Sequence, residues 1–160
     1  MDNKFVKIHS LLRMFAALLA IIVFVSLFIT KQVVYDEAPS DIFYDFRNGA
    51  FFGSDDFNCK GNVFGFIGYI LVLLGGLAGL AFVFIDEIIG KDLTKKLSFV
   101  AAGVAFIGAM AILLFSPIFK GINSLPNDFH TGAGPIVFGI FALVVAGANA
   151  AAPILEDKGF

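Results

Sequence analysis

The sequence predicts an all-α membrane protein: a four-transmembrane-helix bundle in one domain, 1–160, with its larger external loop between helices 1 and 2. Three observations predict it. The 160 residues are 59% hydrophobic and only 15% charged, with a mean hydropathy of +0.92, whereas soluble domains carry about a quarter charged residues. Four runs, about 14–30, 63–85, 97–119 and 135–153, contain no Asp, Glu, Lys or Arg. At about 1.5 Å rise per residue, runs of this length cross or nearly cross a hydrocarbon core of about 30 Å. Finally, small residues recur at spacings of three and four along three of these runs, the pattern that lets helix backbones approach in lipid.

The first run follows a basic start carrying Lys4, Lys7, His9 and Arg13. A charged start and an apolar run also describe a secretory signal. Here the run is longer than a signal core, no small-x-small cleavage site precedes Lys31, and the rest of the chain needs a first crossing. It reads as an uncleaved helix with Arg13 and Lys31 snorkelling at its two ends.

Segment 31–62 sets Asp36, Glu37, Asp41, Asp45, Asp55 and Asp56 against Lys31, Arg47 and Lys60. It also carries too many aromatic residues for a disordered linker. Two local structures compete. Asn48-Gly49 between IFYDFR and AFFG suits a two-residue hairpin turn. Alternatively, Ser40 caps a short helix that Gly49 ends, with Ile42, Phe43 and Phe46 on one side for the membrane surface. The short helix is preferred. Phe43, Phe46, Phe51 and Phe52 form the candidate recognition patch of this loop, and the aromatic cluster from Phe43 to Phe57 reads equally well as the packed base of the loop over the helices.

The second run organises the chain. Its five glycines, Gly65, Gly68, Gly75, Gly76 and Gly79, fall on one arc of roughly 100° at helical periodicity. Gly75 and Gly79 make a GxxxG pair. A compact charged loop, 86–96, leads to the third run, where Ser98, Ala101, Ala105, Gly108 and Ala109 share a face and Pro117 bends or ends the last turn. Segment 120–134 is the second external loop. Pro135 opens the fourth run, which Pro153 ends. There Gly139, Ala142, Ala146 and Ala150 form a further stripe, with Asn149 at its edge as the best candidate for an interhelical hydrogen bond.

Lysine and arginine counts orient the bundle. Seven of the eleven (Lys4, Lys7, Arg13, Lys91, Lys95, Lys96, Lys158) fall on the side of the termini, in a shorter total length than the four on the other side. Both termini are expected in the cytoplasm of a multi-pass cell-membrane protein.

Chemistry is read by elimination. None of the four runs contains an ionisable group of the kind that ion relays need. The single Cys59 permits no intrachain disulfide and no dithiol chemistry. His9 and His130 are expected on opposite sides of the membrane, so they do not share a metal. The GSDDFN phrase lacks calcium-loop spacing, no phosphate-binding glycine loop follows a strand, and no basic block suggests nucleic acid. No catalytic residue, metal or cofactor is expected.

The phrases FRNGAFFG, FGFIGYILVLLGG and GAGPIVFGIFALV, with the order of segments, resemble small four-span membrane proteins of low-GC bacteria. The likeness covers most of the chain and brings no known activity with it. The layout is also similar to the claudin-like tetraspans, which have a larger first external loop and cytoplasmic ends. This sequence departs from that pattern in having no tryptophan and no partner for Cys59, so the resemblance implies shape alone.

The expected function is therefore structural. The protein self-associates as a homo-oligomer in the lipid bilayer, or serves as an accessory subunit, through small-residue helix faces and the aromatic loop. The alternative is a transport protein, a pore or a carrier of an uncharged or lipidic substrate. The orientation has a direct check. In a Cys59→Ser background, Lys95→Cys should not react with an impermeant thiol reagent in sealed cells; labelling there would reverse the topology.

Overall fold

The computed structural model describes residues 7–35, 42–44, 49–55, 58–125 and 129–159. Helix α1 is Ile8–Ser26, α2 Val63–Ile89, α3 Lys91–Leu113, α4 Phe115–Asn123 and α5 Ala133–Asp157. Four of these, all but α4, are long and apolar enough to cross a membrane. They run alternately up and down. α1 packs on α2 and α5, α3 packs on the same two, and α2 and α5 touch across the middle.

Why these helices pack so closely follows from their small residues. A Cβ built on Gly68 would lie 2.9 Å from the carbonyl oxygen of Gly108, and one built on Gly108 would lie 2.6 Å from that of Gly68. Two backbones thus meet with no side chain between them. Gly75 faces the backbone of Ala101 and the methyl of Ala105, Gly76 faces Ala16 and Ala20 of α1, and Gly79 faces Asn149 of α5. The glycine arc of α2 therefore serves three neighbours at once. Larger apolar side chains are turned outward, with Leu18, Phe64, Val100 and Ile140 each at least half exposed.

Several boundaries differ from the sequence reading, each for a local reason. The charged stretch 86–96 is not a loop. α2 and α3 continue through it, and Gly90, at φ +85°, makes the whole reversal; an L-residue with a Cβ rarely holds that backbone angle. The third span ends at Leu113 rather than 119. The chain breaks at Leu114 and restarts as α4, whose first turn accommodates Pro117 because first-turn N–H groups have no intrahelical acceptor to lose. Pro153 does not end the last helix but sits within α5, which continues to Asp157.

The top of the bundle is not all-α. Strands β1, Val33–Tyr35, β2, Ile42–Tyr44, and β3, Phe129–Thr131, form an antiparallel sheet in the order β2-β1-β3. Val34 stands opposite Phe43 on one side and His130 on the other. The expected short helix over Ile42 and Phe43 is thus replaced by a strand, because β1 satisfies its backbone groups through both neighbours. The hairpin alternative also differs, since β2 pairs backward with β1 and not with the residues after Gly49. Ser40 and Phe46 lie outside the described residues.

Residues 49–55 and 58–62 fold against the helix ends. Gly53 donates its N–H to Gly49 (2.7 Å), Ser54 and Cys59 exchange backbone bonds, and Asn62 donates its N–H to Ala50 (2.9 Å). The Asn62 side chain donates to the carbonyl of Phe115 (2.9 Å), and Asn123 exchanges two bonds with the Lys60 backbone (2.6 and 2.9 Å). Phe51 is fully buried among Phe66, Tyr69 and Phe115.

These contacts give a graded test. Gly75→Leu drives a side chain into the Ala101 backbone and should cost about 1–3 kcal/mol or more by overpacking. Gly103→Leu and Gly147→Leu, at positions with nothing within 4 Å, should change stability by less than about 0.5 kcal/mol. Thermal unfolding in detergent measures both; equal losses would contradict the packing described.

Candidate functional site

The described polar residues of the interior are divided between the two ends of the bundle. At the sheet end, Tyr69 donates its hydroxyl to Gln32 (3.2 Å), and Gln32 donates to the hydroxyl and carbonyl of Thr30 (3.2 and 3.3 Å). The Ser26 hydroxyl donates to the Val23 carbonyl (2.6 Å). Between the ends the layer is Ala20, Val72, Ala105, Val145 and Ala146, all buried. A polar interruption is Asn149 of α5, whose amide donates to the Gly75 carbonyl of α2 at 3.0 Å.

The opposite end holds the most concentrated chemistry. Here the first turns of α1 and α3 and the last turns of α2 and α5 surround a cavity of about 420 Å³. Lys7, His9, Ser10 and Arg13 line it from the start of the chain, Val83, Asp86 and Glu87 from α2, Lys91 from α3, and Glu156 and Gly159 from the end. Arg13 lies at its inner end, 1% exposed. Its Nη2 donates to the Ser98 hydroxyl at 3.2 Å, linking the diagonal helices α1 and α3, and pairs with the Glu156 carboxylate at 3.4 Å. Among the described residues its Nε–H has no acceptor. Lys95 and Asp157 form a second ion pair beside this cluster, on the exposed surface.

Two sequence expectations are corrected here. Arg13 does not snorkel at the start of a span beginning at Met14. α1 starts at Ile8, so Arg13 lies more than a turn inside the helix and faces the interior. The helical bundle consequently contains buried ionisable groups, Arg13 with Glu156 beside it. The signal for this was present in the spacing. Arg13, Ala16, Ala17 and Ala20 share one face, as do Ser98, Ala101, Ala102 and Ala105, and as do Asn149, Ala152 and Glu156. A charge in register with a small-residue face points inward.

The other sequence candidates are distributed as follows. Gly65 lies against the ring of Phe115 and Gly139 against Leu113. Ala101, Ala105, Gly108, Ala142, Ala146 and Asn149 are all buried between helices of the same chain. Phe51 is a core residue and not part of a recognition patch, because it packs against Phe66, Tyr69 and Phe115; Phe52 beside it is 56% exposed. For Phe43 only the backbone is described, and Phe46 lies outside the described residues. His9 lines the basal cavity while His130 stands in β3 at the other end. Burial pushes the Cys59 thiol above its ordinary pKa, against a smaller lowering by its hydrogen bond with the Ser54 backbone.

Comparison with protein-family models, with curated proteins and with solved structures finds no match to this chain.

The Arg13–Glu156 pair can be tested as a unit. Removing one partner leaves a charge buried without compensation, which costs about 3–5 kcal/mol. Glu156→Gln leaves the buried Arg13 charge and should fall within that range, whereas Arg13→Met leaves Glu156, which is partly open to solvent, and should sit below it. The double variant Arg13→Met/Glu156→Gln should be less destabilised than the sum, by about 0.5–3 kcal/mol. Additive losses in thermal unfolding would separate the two residues.

Proposed function

We propose that this chain is a multi-pass protein of the cell membrane, with both termini cytoplasmic, that acts by association and not by catalysis. The observation that carries the reading is the head. β1 of the first long connection pairs with β2 of the same connection and with β3 of the second, so two connections form one surface. Three side-chain hydrogen bonds, from Asn62 and with Asn123, fasten the neighbouring turn to α4. Phe52 stands exposed beside the buried Phe51, an apolar group on a fixed support.

The small-residue stripes are occupied within the chain, which leaves the head and the outward apolar faces for a partner, whether a second copy or another membrane protein. The layer of Ala and Val side chains between the two polar ends argues against a solute path through a single bundle. The transport alternative draws its support from the basal cavity, which would serve as a vestibule closed inward at Arg13.

Cross-linking in native membranes at normal expression should trap a species larger than the monomer, and Phe52→Asp should reduce that yield severalfold while the purified variant keeps its melting temperature. Monomers alone in the membrane, with solute flux in vesicles reconstituted from the purified monomer, would reverse the choice in favour of transport.

A further inference from the structure

Helix α5 changes character at Pro153. Before it, the Asn149 amide is tied to the Gly75 carbonyl of α2, and Ala152 and Pro153 are buried. Beyond it, residues 154–157 complete the helix, with Ile154 and Asp157 exposed. Pro153 has no N–H, so the Asn149 backbone carbonyl loses its donor four residues on, and the proline ring crowds that carbonyl. Proline inside a helix is where bends arise. The last turn of α5 is thus an arm on a fixed stem, with one rung missing at its root.

Among the described residues, two ion pairs hold this arm, and each reaches a different helix. Glu156 meets Arg13 of α1 at 3.4 Å, and Asp157 meets Lys95 of α3. Their settings differ. Lys95 and Asp157 are open to solvent, so salt screens their attraction. Arg13 is buried, and Glu156 brings the arm's own carboxylate to it. Through Glu156 and Gly159 the arm also walls the basal cavity, at whose inner end Arg13 lies. Because Asn149 and Ala152 hold the stem separately, the arm can leave while the bundle stays closed.

We propose that the last turn of α5 is a hinged gate on the basal cavity, turning about Pro153 and latched shut by Arg13–Glu156 and Lys95–Asp157. Shut, Glu156 occupies the Arg13 guanidinium, which the Ser98 hydroxyl accepts from at 3.2 Å. Open, Ser98 keeps the guanidinium in place, and water replaces the departed carboxylate. The gate is independent of the head and of whichever partner the head meets.

The full-length protein in nanodiscs provides the test. Spin labels at Leu93→Cys and Lys158→Cys, in a Cys59→Ser background, measure the arm against α3. At low ionic strength one short distance should dominate. Asp157→Asn should add a second, longer distance. So should an ionic strength of about 1 M, where the screening length is about 3 Å. Glu156→Gln should make the longer distance the larger population. Pro153→Ala, which restores the missing donor, should cut that population at least threefold in the Asp157→Asn background.

Phenylglyoxal, which modifies arginine, gives a second readout. Arg13 should react at least fivefold faster, relative to Arg47, the other arginine of the chain, in every condition that shows the longer distance. Asp157→Asn and salt keep the test decisive if Glu156→Gln does not fold. Ion pairs that only stabilise the fold would lower the melting temperature without moving the distance or the Arg13 reactivity. The proposal is overturned by that result, by a longer population that Pro153→Ala leaves unchanged, or by an Arg13 that stays protected when the longer distance appears.

Discussion

The contact between Gly68 and Gly108, where a Cβ on either residue would stand within 3 Å of the other's carbonyl oxygen, sets the spacing of α2 and α3. In lipid, apolar side chains gain little by leaving hydrocarbon for a protein core, so helices associate through close packing and hydrogen bonds. The chain meets that condition by putting Gly and Ala between its helices and its larger apolar side chains on their outer faces. Gly76 against α1 and Gly79 against α5 extend the same principle to the other neighbours. The large aromatic core residues gather instead near the head, where Phe51, Phe66, Tyr69, Phe115 and Phe119 pack ring against ring.

Close packing at the centre leaves polar groups little room there, and the structure divides them between the ends. At the head they tie connections to helices: Gln32 to Tyr69, Asn62 to Phe115, Asn123 to Lys60. At the base they form the ionic cluster of Arg13, Ser98 and Glu156 around a cavity. These sets differ in kind. The head bonds mostly join side chains to backbone and fix the course of the chain. The base brings formal charges together and leaves the Nε of Arg13 without an acceptor among the described residues, an arrangement that does little for the fold by itself, since buried ion pairs seldom exceed well-packed apolar groups in stabilising a protein.

Asn149 occupies the boundary between these regimes. Its amide donates to Gly75, while its carbonyl oxygen is buried without a donor beside Gly79. This hydrogen bond joins α2 and α5 beside the close approach at Gly79. Asn149 has room beside α2 because Gly79 carries no side chain, since a Cβ there would meet the Asn149 amide.

Four long apolar runs and the inward face of α2 were legible in the sequence, because hydropathy and the 3.6-residue period are local properties of each helix. Helix ends were less legible. Whether residues 86–96 form a loop depends on Gly90 making the reversal alone, and whether Pro117 closes a helix or opens one depends on what Leu114 does before it. The sheet could not be read from 31–62 because β1 takes one of its partners, β3, from nearly a hundred residues later. The same holds for the basal site. The sequence placed Arg13 in line with Ala16 and Ala20, but only the tertiary structure brought Ser98 and Glu156 to its guanidinium, from helices 85 and 143 positions away along the chain. Charge pairing depends on distance in space, and spacing along one helix contains no information about which side chains of its neighbours stand opposite.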